Sequence, residues 1–402
     1  MCCIHDTILR VEVRQEVSSL RARVWLRLEE RDMKITNVAV HRLEIDAAPW
    51  YFGNPIPKDE PRIWEYPLLV LETDTGHTGF SMGMGANGEG RTNSYAIYDL
   101  FGQFLIGKDP LQSEGIWQEI RRKNRHLYAH TDTLLGIVDV AIWDLRGKFS
   151  NLPIADLLGR CRSKIPSYKT ASYFLDSPDA VFEEASKYRN SKFAGLKFNM
   201  FGGPKIDIPK LTAAREAVGF GFPLMLDASS FYSYTDALKV GHALEELDFH
   251  WFEEPVYDRQ IGILKRLSTE LRVPILATET GGFAEKFNYL TSDAIDIYRG
   301  DVMNTGGVTG LKKMFSACEG FGYNLEVHTA SSPLLDMANL HVACSASNSE
   351  FMETHHEMYN FGLKGNPLGT DDQGNLCLPE GPGLGVELDW DWIENHTVGI
   401  LQ

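Results

Sequence analysis

The chain has 402 residues, 43% of them hydrophobic and 23% charged. That mix supplies a large core and excludes intrinsic disorder, and the length predicts more than one folded body. With 39 Lys and Arg against 55 Asp and Glu, the net charge is −16. This excludes binding of nucleic acid or an anionic membrane through a basic face, while a small anionic ligand can still bind through a metal ion.

Residues 1–32 carry six Arg and no Lys with little periodic pattern, and read as an extension outside the fold rather than a capping segment. From Met33 the pattern is strand-like (MKITNVAVHRLEI), and PLLVLETDTGHTGF reads as two strands around an Asp74-Thr75-Gly76 turn. Between them, residues 47–66 are rich in Pro and aromatic residues without a period, which predicts an ordered loop carrying function. Residues 91–160 turn helical; Leu134, Leu135, Val138, Ala141, Ile142 and Leu145 share one face of a 3.6-residue period. An N-terminal α+β domain is therefore expected over 33–160.

After Pro166 short apolar runs alternate with helical stretches: SYKTASY, GLKFN, PLMLDAS, FHWFEEP, PILATET, AIDIYRGD, NLEVH and SEFMET. Eight such units predict an α/β fold with a parallel sheet closed into a (β/α)₈ barrel over 161–370. The segment 371–402 has no ninth unit, and its strand-like GVELDWDWI is expected to pack back onto the N-terminal body. No run of about 18 apolar residues exists to span a membrane. Six cysteines show no CxxC pair or regular spacing, which fits a reducing cytoplasm.

In a barrel the active site lies at the C-terminal strand ends, so a polar residue ending an apolar run is aimed at it. Lys197 and Asn199 end the second run, Asp227 the third, Glu253 the fourth, Glu279 the fifth, Asp301 the sixth, His328 the seventh and Glu353 the eighth. Alone, Asp227 could cap a helix and Glu279 could join an ion pair. Together, three acids at intervals of 26 residues converge on neighbouring strands, where their repulsion calls for a cation. Oxygen ligands without Cys or His select Mg²⁺. A single His ending an apolar run is often structural, but Asp301 on the preceding strand can hold its Nδ1 proton and leave Nε2 free as a base.

These residues, with VDVAIWDLRGK (138–148), LPIADLLG (152–159), WFEEP, ATET and DVMNTGGVTG (301–310), resemble the enolase superfamily, mandelate racemase subgroup. The resemblance implies an Mg²⁺-dependent enzyme that removes the proton beside a substrate carboxylate, with a Lys or His base and Mg²⁺ stabilising an ene-diolate. It implies an electrostatic role for Lys197, and for Glu353 that of an acid, protonated or sharing a proton, that hydrogen-bonds the other carboxylate oxygen. It also gives the N-terminal domain the role of a cap. Trp50, Tyr51 and Phe52, with SMGMGANGEG (81–90), resemble the two loops that close over the barrel; plain interdomain packing is the alternative. A homo-oligomer is implied as well.

One departure bears on the reaction. Family members that interconvert stereoisomers resemble one another in a Lys-x-Lys on the second strand, and here the triplet is Lys197-Phe198-Asn199. A neutral amide cannot take a proton. Dehydration of an acid sugar to a 2-keto-3-deoxy acid, served on one face by His328 as base and then acid, is therefore expected ahead of racemisation, epimerisation or cycloisomerisation. A non-catalytic sugar-acid binding protein on the same fold is the alternative from another class. Ser229, Asn199, Lys169, Tyr51, Trp50 and His355 are candidate substrate contacts, with His356 and Ser172 as further possibilities. Solvated loop or strand-end roles are the plainer readings of Lys169, Ser172 and the two histidines. GGVTG as a phosphate cradle rests on a lone Gly pair and is weak.

Overall fold

The computed structural model describes residues 33–46, 63–85, 89–127, 131–171, 175–329, 332–354 and 360–402. Residues 1–32, Trp50, Tyr51, Phe52, Ser172, His355 and His356 lie outside them. The N-terminal body is an antiparallel sheet of β1 (Ile35–Asp46), β2 (Ile63–Thr73) and β3 (Thr78–Met82), with the C-terminal strand Thr397–Leu401 added beside β1. Residues 63–66, assigned above to the loop, belong to β2, because Tyr66 and Trp64 pair opposite Leu43 and Ile45. Helices α1 (Glu89–Ile97), α2 (Ser113–Leu127) and α3 (Asp132–Ser150) follow. Thr131 caps α3 by accepting the Leu134 amide, and Asn151 ends it in the left-handed region. The six apolar residues of its predicted face are all buried.

The barrel comprises eight parallel strands: β4 (Lys164–Thr170), β5 (Gly195–Asn199), β6 (Leu224–Asp227), β7 (Trp251–Glu253), β8 (Ile275–Ala277), β9 (Ile297–Gly300), β10 (Asn324–Val327) and β11 (Met352–Thr354). Pairing of β11 with β4 closes it. Seven helices, α4 (Pro178–Ser186), α5 (Pro204–Val218), α6 (Tyr234–Glu246), α7 (Ile261–Glu270), α8 (Phe283–Ser292), α9 (Gly307–Phe321) and α10 (Pro333–Cys344), each follow one strand from β4 to β10. Among the described residues no helix follows β11 directly, and no helix is long and apolar enough to cross a membrane.

The C-terminal segment departs from expectation in two respects. It returns first to the barrel, where β12 (Asn375–Cys377) runs antiparallel along the start of β4. The apparent strand in GVELDWDWI is the approach to helix α11 (Trp390–His396), which Asp389 caps through the Trp392 amide; the strand on β1 comes only after it.

Side chains alternate across each strand, so those two residues apart share a face. Tyr168, Met225, Trp251, Leu276, Ile297 and Phe351 face one another as an apolar plug inside the barrel. Two residues further along five of those strands come Thr170, Asp227, Glu253, Arg299 and Glu353, which therefore lie as a polar layer on the plug. The N-terminal body is seated against the loops at this same end: Asp132 accepts the Phe283 amide, Thr133 donates to Asn304, and the Trp117 indole donates to the Gly306 carbonyl at 2.6 Å.

Candidate active site

Carboxylate oxygens of Asp227, Glu253 and Glu279 lie within 4.8 Å of one another. Asp227 and Glu253 end β6 and β7 and are aligned by register. Glu279, expected at the end of its strand, lies two residues past β8 and is carried there by Thr278, whose φ of 86° puts a β-branched residue in the left-handed region. Ser229 (φ 43°) and Glu254 (φ 42°) show the same backbone strain beside the other two acids. Such conformations cost about 1–3 kcal/mol each and persist where the surroundings enforce them. Around Thr278 the enforcement is visible: the buried Lys286 ammonium donates to the carbonyls of both Thr278 and Arg299.

The donor set fits a hard divalent cation. All three ligands are carboxylates, Glu253 is wholly buried, and its Oε1 has no hydrogen-bond partner. Burial raises the Glu253 carboxyl to about 7, with Arg299 and Lys197 opposing and Asp227 and Glu353 adding to the rise. Burial likewise raises Glu279; His328 opposes and Asp227 reinforces the shift. Two such carboxyls facing each other and Asp227 are the environment that a Mg²⁺ ion stabilises.

Lys197 projects from β5 into the same layer. Its Nζ is 2.8 Å from Glu353 Oε1, 3.2 Å from Glu253 Oε2 and 3.5 Å from Asp227 Oδ2. Burial alone lowers its pKa, but Glu253 and Glu353 outweigh this, and the net shift is well upward. It is a fixed ammonium. Glu353, expected to be protonated or to share a proton, is ringed by donors: Thr170 Oγ at 2.7 Å, Lys197, the Arg299 guanidinium and the Thr329 amide at 3.4 Å.

His328 follows β10 directly, with Nδ1 3.1 Å from Asp301 Oδ2 and Nε2 3.3 Å from Glu279 Oε1. Asp301 also accepts the Asn304 amide, so its carboxylate is held from behind. Burial lowers the His328 pKa, yet Glu279 and the Asp301 hydrogen bond prevail and raise it to about 9. At 20% and 24% side-chain exposure, His328 and Glu279 face the open mouth. The imidazole thus looks onto the acid triad from one side with its tautomer fixed by Asp301.

The predicted substrate contacts divide. Asn199 donates to Asp227 Oδ2 at 2.9 Å, and Ser229 donates to Asp227 Oδ1 through its amide at 2.7 Å and hydroxyl at 3.1 Å; both hold a metal-ligand candidate. Lys169 has the opposite parity to Tyr168 and Thr170, so it points out of the barrel, with Nζ 5.7 Å from the Phe193 ring. That placement favours the plainer strand-end reading of Lys169 over a substrate contact. Tyr51, Trp50 and His355 lie outside the described residues. GGVTG is not a phosphate cradle, because its helix-start amide at Thr309 is taken by Asp139 at 2.9 Å.

Several residues of the site were not singled out from the sequence. Arg299 is the most central, and the parity signal was present: it lies two residues before Asp301. Behind Glu279, Glu254 accepts the Glu279 amide at 3.1 Å, and Asp258 accepts the Thr280 amide and hydroxyl. No strand-end rule points to either.

Residues 180–392 match the family model described as "Enolase C-terminal domain-like", and residues 64–159 match that of the mandelate racemase/muconate lactonizing enzyme N-terminal domain. The chain belongs to the mandelate racemase subgroup of the enolase superfamily. It is 31% identical over 336 residues to an arabinonate dehydratase of Saccharolobus solfataricus, covering 81% of this chain and 89% of that one. It is 29% identical over 379 residues to a D-galactarolactone cycloisomerase of Agrobacterium fabrum, covering 89% and 97%. The crystal structure of a D-glucarate dehydratase from Agrobacterium tumefaciens, complexed with magnesium, superposes with a TM-score of 0.81 at 28% identity over 92% of this chain and 100% of that one. Relatives in this family are acid-sugar dehydratases and cycloisomerases, so the enzyme is a lyase or isomerase.

Proposed function

We propose that this enzyme dehydrates an acid sugar to a 2-keto-3-deoxy acid, with His328 as both base and acid. The observation that carries the reading is the asymmetry of the site. One face offers an imidazole backed by Asp301; the second-strand position that could hold another base is Asn199, tied to Asp227.

A proton beside a carboxylate is weakly acidic because its removal builds negative charge on the carboxylate oxygens. Asp227, Glu253 and Glu279 would hold a Mg²⁺ ion, which when bound supplies positive charge beside that carboxylate. Lys197 adds a second fixed positive charge. Nε2 of His328, in the neutral form of the ring, takes the α-proton, and Asp301 holds the Nδ1 proton and stabilises the resulting imidazolium. Breaking the bond to the β-hydroxyl then consumes the electron pair, and the imidazolium returns a proton to the leaving oxygen, releasing water. The enol left behind tautomerises to the 2-keto acid.

Cycloisomerisation is the second reading, supported by the relative from Agrobacterium fabrum, which matches across 97% of its length. Incubating the protein with Mg²⁺ and a library of mono- and diacid sugars in D₂O separates the outcomes. A dehydratase yields 2-keto acids with loss of water, a cycloisomerase interconverts a lactone and an isomeric open keto acid with neither gain nor loss of water, an epimerase exchanges the α-proton with all hydroxyls retained, and a binding protein does none of these. Absence of 2-keto product from every acid sugar would overturn the proposal.

A further inference from the structure

Arg299 is a fully buried guanidinium that none of the steps above uses. It lies on β9 within the polar layer, directly above the apolar plug, and touches both. Nη2 donates to the Tyr168 hydroxyl at 2.9 Å and to Glu353 Oε2, Nη1 faces the Val327 carbonyl at 3.4 Å, and Nε lies 2.9 Å from Glu253 Oε1. One planar group therefore spans a metal-ligand candidate and the carboxylate of the last strand, two residues expected to face different parts of the reaction.

The contact with Glu253 has a particular geometry. Although Nε and Oε1 are 2.9 Å apart, neither atom has a hydrogen-bond partner. The guanidinium thus compensates the charge of Glu253 through a wholly buried ion pair on Oε1. Its other oxygen, Oε2, is held by Lys197 at 3.2 Å and by the Trp251 indole at 3.3 Å. Glu253 is thus fixed in orientation through both oxygens, Oε1 by Arg299 and Oε2 by Lys197 and Trp251. Glu353 is gripped in a parallel way, by Arg299 on Oε2 and by Lys197 and Thr170 on Oε1.

We infer that Arg299 is a positioning residue that sets Glu253 for metal binding and Glu353 for substrate at the same time. This rests on the metal-dependent reading above. Lysine could keep the charge, but as a point charge on a flexible stem it cannot reach Glu253, Glu353 and Tyr168 from one rigid fork. Arg299→Lys is therefore the informative variant, with Arg299→Met as a probe of the charge itself.

The measurements are Mg²⁺ affinity by calorimetry, steady-state kinetics on the best acid sugar, and thermal denaturation. For Arg299→Lys a loss of about 10- to 100-fold in Mg²⁺ affinity is expected, the range seen when a group supporting a ligand is altered. At saturating Mg²⁺, kcat should remain depressed by about tenfold through Glu353, with the melting temperature near that of wild type. Arg299→Met should bind Mg²⁺ more weakly still, and Glu253→Gln in the Arg299→Lys background should add less than it does alone, because the two act on one ligand. Wild-type Mg²⁺ affinity and kcat in Arg299→Lys would overturn the inference while leaving the proposed function intact; a wild-type protein that binds no divalent ion would overturn both.

Discussion

At the joint between the N-terminal body, the barrel and the C-terminal segment, Asp139 and Asp144 meet donors on both oxygens. Asp139 accepts the amide and hydroxyl of Thr309 at 2.9 and 2.8 Å; Asp144 accepts the amides of Phe80 and Leu384 and the ammonium of Lys148. At the barrel mouth the acids Asp227, Glu253 and Glu279 face one another, beside a strained backbone, and Glu253 keeps an oxygen with no hydrogen-bond partner. Buried carboxylates matched by local donors fasten elements together. Carboxylates turned toward each other store a demand for a cation, and that difference separates a structural cluster from a chemical one.

The largest effect that tests this contrast is removal of the metal. Chelation should take activity to background, and restored Mg²⁺ should return it. Since a ligand at 100 times its Kd stabilises the folded state by about 2.7 kcal/mol, saturating Mg²⁺ should also raise the melting temperature of the wild type. A protein whose activity and melting temperature ignore both chelator and Mg²⁺ would place the mouth in the same class as the joint.

Next in size is His328→Asn. General acid and base catalysis contributes roughly 10²- to 10⁴-fold, and a loss of that order in kcat is expected, with Mg²⁺ affinity within a few-fold of wild type. Unchanged turnover would remove His328 from the reaction. Loss of metal binding with it would show that the imidazole serves Glu279 instead.

Much of this was legible in the sequence because both barrel and site obey simple periods. Eight apolar runs became eight strands, and Lys197, Asp227, Glu253, Asp301, His328 and Glu353 converge because strand ends share one rim. What stayed hidden depends on three-dimensional neighbours. Arg299 reads as an ordinary charged residue until Tyr168 and Glu353, distant in sequence, close around it. For Lys169 the sequence leaves two readings open because ending a run does not say which face a side chain takes, and the parity of Thr170 turns it away from the barrel interior. The strain at Thr278 left no mark in composition, and the alternation in GVELDWDWI was overruled by the Asp389 cap.

The joint should show its own pH signature, through His341. This buried imidazole faces the Leu384 carbonyl at 3.1 Å and the Ala155 amide at 3.2 Å, which suits the neutral ring, and burial lowers its pKa to about 4. Above pH 6.5 both folded and unfolded chains hold the ring neutral, and its contribution is complete. As pH falls from 6.5 toward 4 the unfolded chain binds the proton first, so stability is lost, by about 3 kcal/mol in all. Chemical denaturation from pH 7 to 4 should show a shallower acid limb for His341→Gln than for wild type; parallel limbs would refute the assignment.

The smallest effect, and the sharpest for the contrast, is Asp139→Ala. Helix α9 begins with Gly307 at φ 86°, where a Cβ would lie 2.3 Å from Asp139 Oδ2, so the carboxylate is packed directly onto the helix start. Truncating it leaves the Thr309 amide buried and unpaired, at a cost of about 1–3 kcal/mol. Stability should fall by that amount in urea titrations while kcat and Mg²⁺ affinity stay within about twofold, since changes at distant, independent sites usually add. The Trp143 indole, which donates to Thr309 Oγ at 2.8 Å, offers a fluorescence reporter of whether the joint has loosened. If instead kcat falls by tenfold or more with the fold retained, the seating of the N-terminal body controls the geometry of Asp301 and His328 through the loop after β9, and joint and mouth are one mechanical unit.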